Sequence, residues 1–390
     1  MNAVTTRTTL HSQTERLTAW LTDCALPLWA SRGINPGNGA HYERLLPDGT
    51  VDLASDIRVR VQARQAFVFA AAAKLGWYPE GEAVARGILA FLEAEGLNKA
   101  AGGGYVRKFD RHFRVVDASQ DLYDHAFILL ANAWYFRVSR DSAALERAEA
   151  LSQYLDRRFG SVHGGWIEGD YETDYRRQNP HMHMLEACLA LYDAGAGAPW
   201  LARAGELVAL FQARFYDAEK NVLFEYFQHD WASRNDDLGM IVEPGHMMEW
   251  VWLLDWYGQR TGRTMHQWTA PLYAQGLALG RDANGLLFDA VSSEGAVLDG
   301  KKRCWVVTEL IKASVIRARY GHPEAESIAV QAVDNLFDYY LCAPTPGAHI
   351  EHRDADNSIH NPMAPATTLY HIVMAAIELH RHLQVSTSAN

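Results

Sequence analysis

The residues best able to do chemistry in this sequence are histidines with a carboxylate nearby. His246 and Glu249, in Glu243-Pro-Gly-His-Met-Met-Glu249-Trp, stand at i and i+3 and so share one face of a helix. A carboxylate at that spacing orients an imidazole, fixes its tautomer and raises its basicity, as a general acid–base catalyst requires. The same pair also serves as a plain structural contact. His371 opens the last long apolar helix, in Pro365-Ala-Thr-Thr-Leu-Tyr-His371, either as a satisfied core histidine or as a second proton carrier. Arg64, in Arg58-Val-Arg-Val-Gln-Ala-Arg64-Gln, lies in an otherwise apolar segment. It is either a structural ion pair or a clamp for substrate oxygens, because an unpaired buried guanidinium is costly.

Other groups suit binding. Asn179 and His183 are four residues apart and share a face, which fits a joint grip on sugar hydroxyls. His181-x-His183 invites a metal reading, but residues two apart on a helix diverge and no carboxylate completes a ligand set, so no metal is expected. Tyr123, Asp124 and His125 open another helix, where Asp121 or Asp124 can equally cap it. Trp305, Glu309 and Lys312 fall together in Arg303-Cys-Trp-Val-Val-Thr-Glu309-Leu-Ile-Lys312, with Glu309 and Lys312 again at i and i+3. The basic trio Lys301-Lys302-Arg303 reads as a solvated loop or as a handle for a sugar phosphate.

Positioning these groups is the task of helices. Apolar residues recur with a 3.6 period in 61–74, 122–135, 183–192, 247–257, 309–320 and 369–383, each rich in Ala and Leu. Strand-like pieces are confined to short stretches near 104–107 and 223–226. Arg64, His125, His183, His246, Glu309 and His371 each stand near the start of one such segment, at intervals of roughly 60 residues, the period of a supersecondary repeat. Amphipathic segments at 83–95, 143–159, 199–215, 266–280 and 325–340 lie between them. Six helix pairs imply an all-α toroid, an (α/α)6 barrel in a single domain over 1–390, with 1–13 and 385–390 as flexible ends. In such a ring the inner helices run the same way, so their leading residues converge at one mouth.

The bulk figures agree with a soluble enzyme. The chain has 390 residues, 48% hydrophobic and 21% charged, with a formal charge of -11 that argues against nucleic acid or an anionic membrane as partner. No apolar run suggests a signal peptide or a membrane span, and four scattered cysteines suit a reducing compartment, so the expectation is cytoplasmic, monomeric or homodimeric. Twelve Trp and seventeen Tyr offer flat faces for sugar rings as well as core material.

In order and spacing, Val61-Gln-Ala-Arg64, Tyr123-Asp-His-Ala-Phe127, Asn179-Pro-His-Met-His183-Met-Leu-Glu186, Glu243-Pro-Gly-His246-Met-Met-Glu249-Trp, Thr308-Glu309 and Tyr370-His371 resemble the N-acylglucosamine 2-epimerase superfamily over roughly residues 20–382. The resemblance implies an (α/α)6 barrel without a cofactor. It assigns His246 and His371 as acid and base, Glu249 as the partner of His246, and Arg64 as the contact to the oxygens at C1 and C2. Asn179 and His183 would hold the sugar, with Tyr123, Glu309 and Trp305 as further binding residues. Cellobiose epimerases of this superfamily carry Trp-Lys-x-Pro-Tyr-His before the last histidine, whereas this chain has Ala366-Thr-Thr-Leu-Tyr-His371. The missing Trp points away from disaccharides and toward conversion of D-mannose to D-fructose through a cis-enediolate. A 2-epimerase is the alternative, and an (α/α)6 glycosidase or a non-catalytic sugar-binding protein would be a different class.

Overall fold

The structure, a computed structural model, describes residues 9–388. Thirteen α-helices are strung along the described residues. Six line the bore: α3 (Val59–Lys74), α5 (Leu122–Ser139), α7 (Asn179–Asp193), α9 (Pro244–Thr261), α11 (Cys304–Arg319) and α13 (Leu369–Ser388). Each inner helix packs on the next, and α13 returns to α3, so the ring closes. Their residues are buried almost all round, from Val61 to Ala72 in α3 and from Pro180 to Leu191 in α7. A helix apolar on every side belongs between two layers.

The outer layer is α4 (Gly81–Phe91), α6 (Ala143–Phe159), α8 (Ala198–Leu210), α10 (His266–Gly280) and α12 (Ala325–Asn335), each antiparallel partner to the inner helix before it. The sixth outer position is filled from the N-terminus by α1 (Leu10–Trp20) and α2 (Leu26–Arg32), α1 packing on both α12 and α13. Residues 10–13 were expected to be a flexible end. They instead form the first turn of α1, with Leu10 and Gln13 buried, because the ring needs an outer helix there. At the other end Val385 lies within α13; residues 1–8 and 389–390 fall outside the described part.

Sheet structure is limited to two- and three-residue strands around the mouth. The expected strand near 104–107 begins slightly later, at Lys108–Phe109, while Val222–Leu223 and Tyr226–Phe227 match the second expectation. Strands Ile57–Arg58, Arg176–Arg177, Lys302–Arg303 and Ala364–Pro365 lead directly, or within a few residues, into α3, α7, α11 and α13. Pairing fixes where each of these inner helices begins. Arg44–Leu45 pairs with Ala364–Pro365, which ties the first loop of the ring to the last.

Candidate active site

The helix starts are set by local chemistry. Pro244 occupies the first turn of α9, where its fixed φ suits a helix and its missing N–H is no loss. Asp121 caps α5 by accepting from the Tyr123 backbone N–H at 2.9 Å, so the capping reading of this aspartate holds. Asp124 binds Arg60 instead, at 2.9 Å. With the starts pinned, helical spacing sorts the bore residues into levels. Arg60, Tyr123, Asn179, Trp305 and Thr367 ring the entrance. Four residues further along each helix come Arg64, Phe127, His183, Glu309 and His371, and His246 joins this level from α9. Glu186, Glu249 and Lys312 lie one turn deeper.

A cavity of about 430 Å³ opens at this mouth, the right order for a small polar ligand. Of the residues expected to form a site, Arg64, Tyr123, Asn179, His183, His246, Glu249, Trp305 and His371 line it. Glu309 does not. It is fully buried behind His371, accepting from His371 Nδ1 at 2.9 Å, while its other oxygen lies 2.6 Å from Lys312 Nζ. Glu309 is therefore a support for His371 rather than a binding residue.

His246 differs from expectation in a second way. Its Nδ1 faces Glu225 Oε2 at 3.0 Å and Glu243 at 3.5 Å, not Glu249. The i+3 spacing carries Glu249 one level down, where it faces His183 Nδ1 at 3.9 Å, and His183 itself leans on Glu186 at 3.1 Å. Glu225 was missed because it sits in a loop before Tyr226–Phe227, where no periodicity signals its direction. His246 Nε2 lies 3.2 Å from the Asn179 amide. Asn179 Oδ1 has no hydrogen-bond partner among the described residues, so turning the amide over lets it accept from a protonated His246.

Arg64 donates to Thr367 Oγ1 at 2.5 Å and to the Tyr123 hydroxyl at 2.8 Å, over the Phe127 ring at 4.0 Å. No carboxylate binds it among the described residues, which removes the ion-pair reading and leaves its charge for the cavity. The Trp305 indole touches both imidazoles, with centroids 5.1 Å from His246 and 5.5 Å from His371. Gly245 makes that approach possible, since a Cβ there would stand 2.7 Å from the indole.

The two cavity imidazoles are pushed in opposite directions. Burial alone would lower His246, but the carboxylates of Glu225 and Glu243 outweigh it and raise the group to about 9. Burial lowers His371 well below the usual histidine range, and the cations Arg64 and Lys312 push the same way. Burial likewise takes His183 down to about 3. At neutral pH the site holds one imidazolium and a neutral base.

Two sequence expectations fail on position. His125 is turned away from the bore: its Nε2 accepts from Tyr105 N–H at 2.8 Å and its Nδ1 meets the Asp121 carbonyl at 2.7 Å. The residue of α5 in register with His183 is Phe127. The basic trio is neither a solvated loop nor a free handle. Lys302 is buried, bound to Asp282 at 2.8 Å, Asn357 at 2.7 Å and the Ala355 carbonyl at 2.9 Å. Arg303 binds Asp289 at 2.9 Å, and Lys301 binds Asp299.

Three side-chain sets bring donor atoms within 4.8 Å and could ligate a cation: His183, Glu186 and Glu249; Glu225, Glu243 and His246; Glu249, Glu309 and His371. Lys312 beside Glu309 would repel an ion in the third set, and the raised proton affinity of His246 competes for the second.

The profile of the N-acylglucosamine 2-epimerase family matches residues 40–375. A mannose-6-phosphate isomerase from Rhizobium meliloti (strain 1021) is 34% identical over 383 residues, covering 95% of this chain and 97% of that protein. Among solved structures, the cellobiose 2-epimerase of Spirochaeta thermophila DSM 6192 superposes with a TM-score of 0.86 at 21% identity, over 99% of this chain and 100% of that one. A D-mannose isomerase gives 0.82 at 22% identity, over 98% and 99%. These likenesses establish the fold as the (α/α)6 barrel.

Proposed function

The chain belongs to the N-acylglucosamine 2-epimerase family, a family of isomerases and epimerases, and within it we propose that this protein is an aldose–ketose isomerase interconverting D-mannose and D-fructose. The pairing of a charged His246 with a neutral His371 across one cavity carries the acid–base chemistry, and the stretch Ala366-Thr-Thr-Leu-Tyr-His371, without the Trp of cellobiose epimerases, favours isomerisation. The His371 Nδ1–H donates a hydrogen bond to Glu309, which leaves the unprotonated Nε2 turned toward the substrate. This base removes the proton from C2 of the open-chain aldose, and the same imidazole returns it to C1 of the cis-enediolate on the same face. Arg64 stabilises the negative charge that develops on the oxygens at C1 and C2. His246, as imidazolium, gives its proton to the oxygen at C1 as charge builds there and takes up the proton of the C2 hydroxyl as the ketone forms, so it ends the cycle charged. Both oxygens of buried Glu249 lack a hydrogen-bond partner among the described residues, which suits them to sugar hydroxyls. Tyr123, Asn179 and His183 hold further hydroxyls, and Trp305 covers the ring. The names of the relatives, mannose-6-phosphate isomerase and the D-mannose isomerase of Thermobifida fusca, support mannose as the hexose.

Epimerisation at C2 is the second reading, favoured by Trp305 lying against both imidazoles. It needs His246 to return a proton to the other face of C2, and the imidazolium is already in the form to do so, so the product formed separates the two readings.

The test is conversion of D-mannose in D2O by EDTA-treated enzyme, followed by proton NMR. Fructose labelled at the carbon that receives the proton is the expected product. Glucose as first product supports the epimerase, and no turnover of mannose, fructose or glucose, free or 6-phosphorylated, overturns both readings. His371→Ala should abolish turnover, and His246→Ala should lower it by about 10². Near-normal activity of the His371 variant would sink the mechanism.

A further inference from the structure

The cavity holds more positive charge than an enediolate requires. Arg64 suffices for the oxygens at C1 and C2, yet Arg60, Arg58 and Arg44 line the same cavity on the same side. They form a ladder toward solvent: Arg64 is buried, while the side chains of Arg60, Arg58 and Arg44 are 20%, 30% and 33% exposed. Each of the outer three is gripped from behind by a carboxylate that is itself only 1%, 7% or 9% exposed, namely Asp124, Glu43 and Asp52. Arg60 binds Asp124 through Nη1, and Arg44 binds Asp52 through Nε. Their remaining guanidinium edges have no hydrogen-bond partner among the described residues and are not enclosed. Four guanidinium groups here meet the carboxylates of Asp124, Glu43 and Asp52, and burial pushes the further cavity carboxylate, Glu351, up to about 7, so the wall carries a net positive charge in a protein whose total is -11.

Arg58 has a separate structural duty. Its backbone N–H and Nε both bind Glu43, and Arg177 repeats that clasp with Glu168 one stretch further along the ring. No such duty recurs for Arg60 and Arg44. Arg60 stands one helical turn above Arg64 on the same face of α3, and Arg44 sits in the strand that pairs with Ala364–Pro365, next to Thr367. Exposure rises from Arg64 outward along this ladder, so a hexose held at C1 and C2 by Arg64 that extends along it brings its far carbon to Arg60 and Arg44.

Resting on the isomerase reading above, we propose that Arg60 and Arg44 form a subsite for a phosphoryl group on the terminal carbon, so that the preferred substrate is a hexose 6-phosphate. Planar guanidinium forks pre-set by rear carboxylates present paired N–H donors to phosphate oxygens without a large ordering cost. A phosphate monoester brings about two negative charges at neutral pH, which a net-positive wall offsets and a neutral wall would not. Of the trio Lys301-Lys302-Arg303, the more obvious phosphate handle in the sequence, Lys302 is buried against Asp282, and Arg303, which also lines the cavity, is held between two carboxylates, Glu243 and Asp289.

The experiment compares kcat/KM for D-mannose 6-phosphate and D-mannose in wild type, Arg44→Gln and Arg60→Lys. The lysine keeps a cation beside buried Asp124 but loses the fork. The expected result is a wild-type preference for the phosphorylated sugar that falls about 10- to 100-fold in each variant, as a charge-assisted contact is lost. Equal loss on both sugars, or a wild type that prefers free mannose, overturns the subsite and leaves the isomerase reading intact. Calorimetric binding of inorganic phosphate gives a readout independent of turnover. Binding to wild type that weakens in both variants supports the subsite even if neither sugar is converted, an outcome that would overturn the isomerase reading instead. No phosphate binding overturns the subsite.

Discussion

Glu225 and Glu309 show how a protein makes two chemically identical side chains behave differently. Each carboxylate faces the Nδ1 of one cavity histidine, but Glu309 is shared with Lys312, while Glu225 acts on His246 together with Glu243. Activity that needs charged His246 should persist to alkaline pH and fall as pH rises through about 9. Glu225→Gln removes one of the two opposing carboxylates, so burial gains weight. The alkaline limb of the kcat/KM profile should then move down by about one pH unit or more. A limb unmoved in that variant would show that Glu225 does not set the charge of His246. At the acid end His371 stays neutral well below the ordinary histidine range, so loss of activity at pH 5 to 6 should be slight. The two cavity histidines were legible in the sequence, since a histidine leading an apolar helix is conspicuous. Their partners were not. Spacing reports which residues share a helix face, and Glu225 reaches His246 from a loop.

Helix register is where residue type misled. His125 aligns by identity with the other bore histidines, but the structure equates it with His181. Both accept a backbone N–H from the preceding loop, from Tyr105 and Trp166, through Nε2, and both bind the carbonyl four residues back through Nδ1. The usable signal was the pattern itself: His125-x-Phe127 matches His181-x-His183, which makes Phe127 the bore residue. His125→Ala should therefore leave kcat close to normal while costing about 1–3 kcal/mol in stability, because the Tyr105 N–H is left buried and unpaired. Denaturant unfolding beside steady-state kinetics checks both halves. Gly245→Ala in α9 should do the reverse. A methyl 2.7 Å from Trp305 must displace the indole from between the imidazoles, lowering kcat by about 10-fold or more with a smaller effect on the melting temperature. An unchanged kcat would mean that the indole does not hold the two imidazoles in place.

The ring itself was readable from repeated amphipathic segments, and so was its single mouth. The outer helix that completes it was not, because 1–13 are polar and Thr-rich while only Leu10, Gln13, Thr14 and Leu17 of α1 are buried. The assembled barrel encloses His41, His181, His183 and His349 without charge, all pushed down to between about 3 and 4, chiefly by burial. Unfolded, these groups take up protons near pH 6.5; folded, they resist until pH 4 or below. The unfolded chain thus binds more protons as pH falls, so stability drops between about pH 6.5 and 4, before most carboxylates titrate. His246 has the opposite sign: its contribution is complete below about 6.5 and is lost as pH rises toward 9. Melting temperatures across pH 4 to 9 should show a maximum near neutrality with the steeper fall on the acid side. A flat acid side would mean that these histidines are protonated in the native state.

Closure of α13 onto α3 and α1 also sets an order of events during synthesis. The first five inner helices can pack in sequence as they leave the ribosome, each beside the one before it. His371 and the strand that locks the ring arrive after all of them, and the seam they close joins residues more than three hundred positions apart. Until then the incomplete ring has His246, the guanidinium wall and Asn179, but not His371. On the mechanism proposed above, a C-terminally truncated chain is an open arc that lacks the base, and it should show no turnover until the last helix seats.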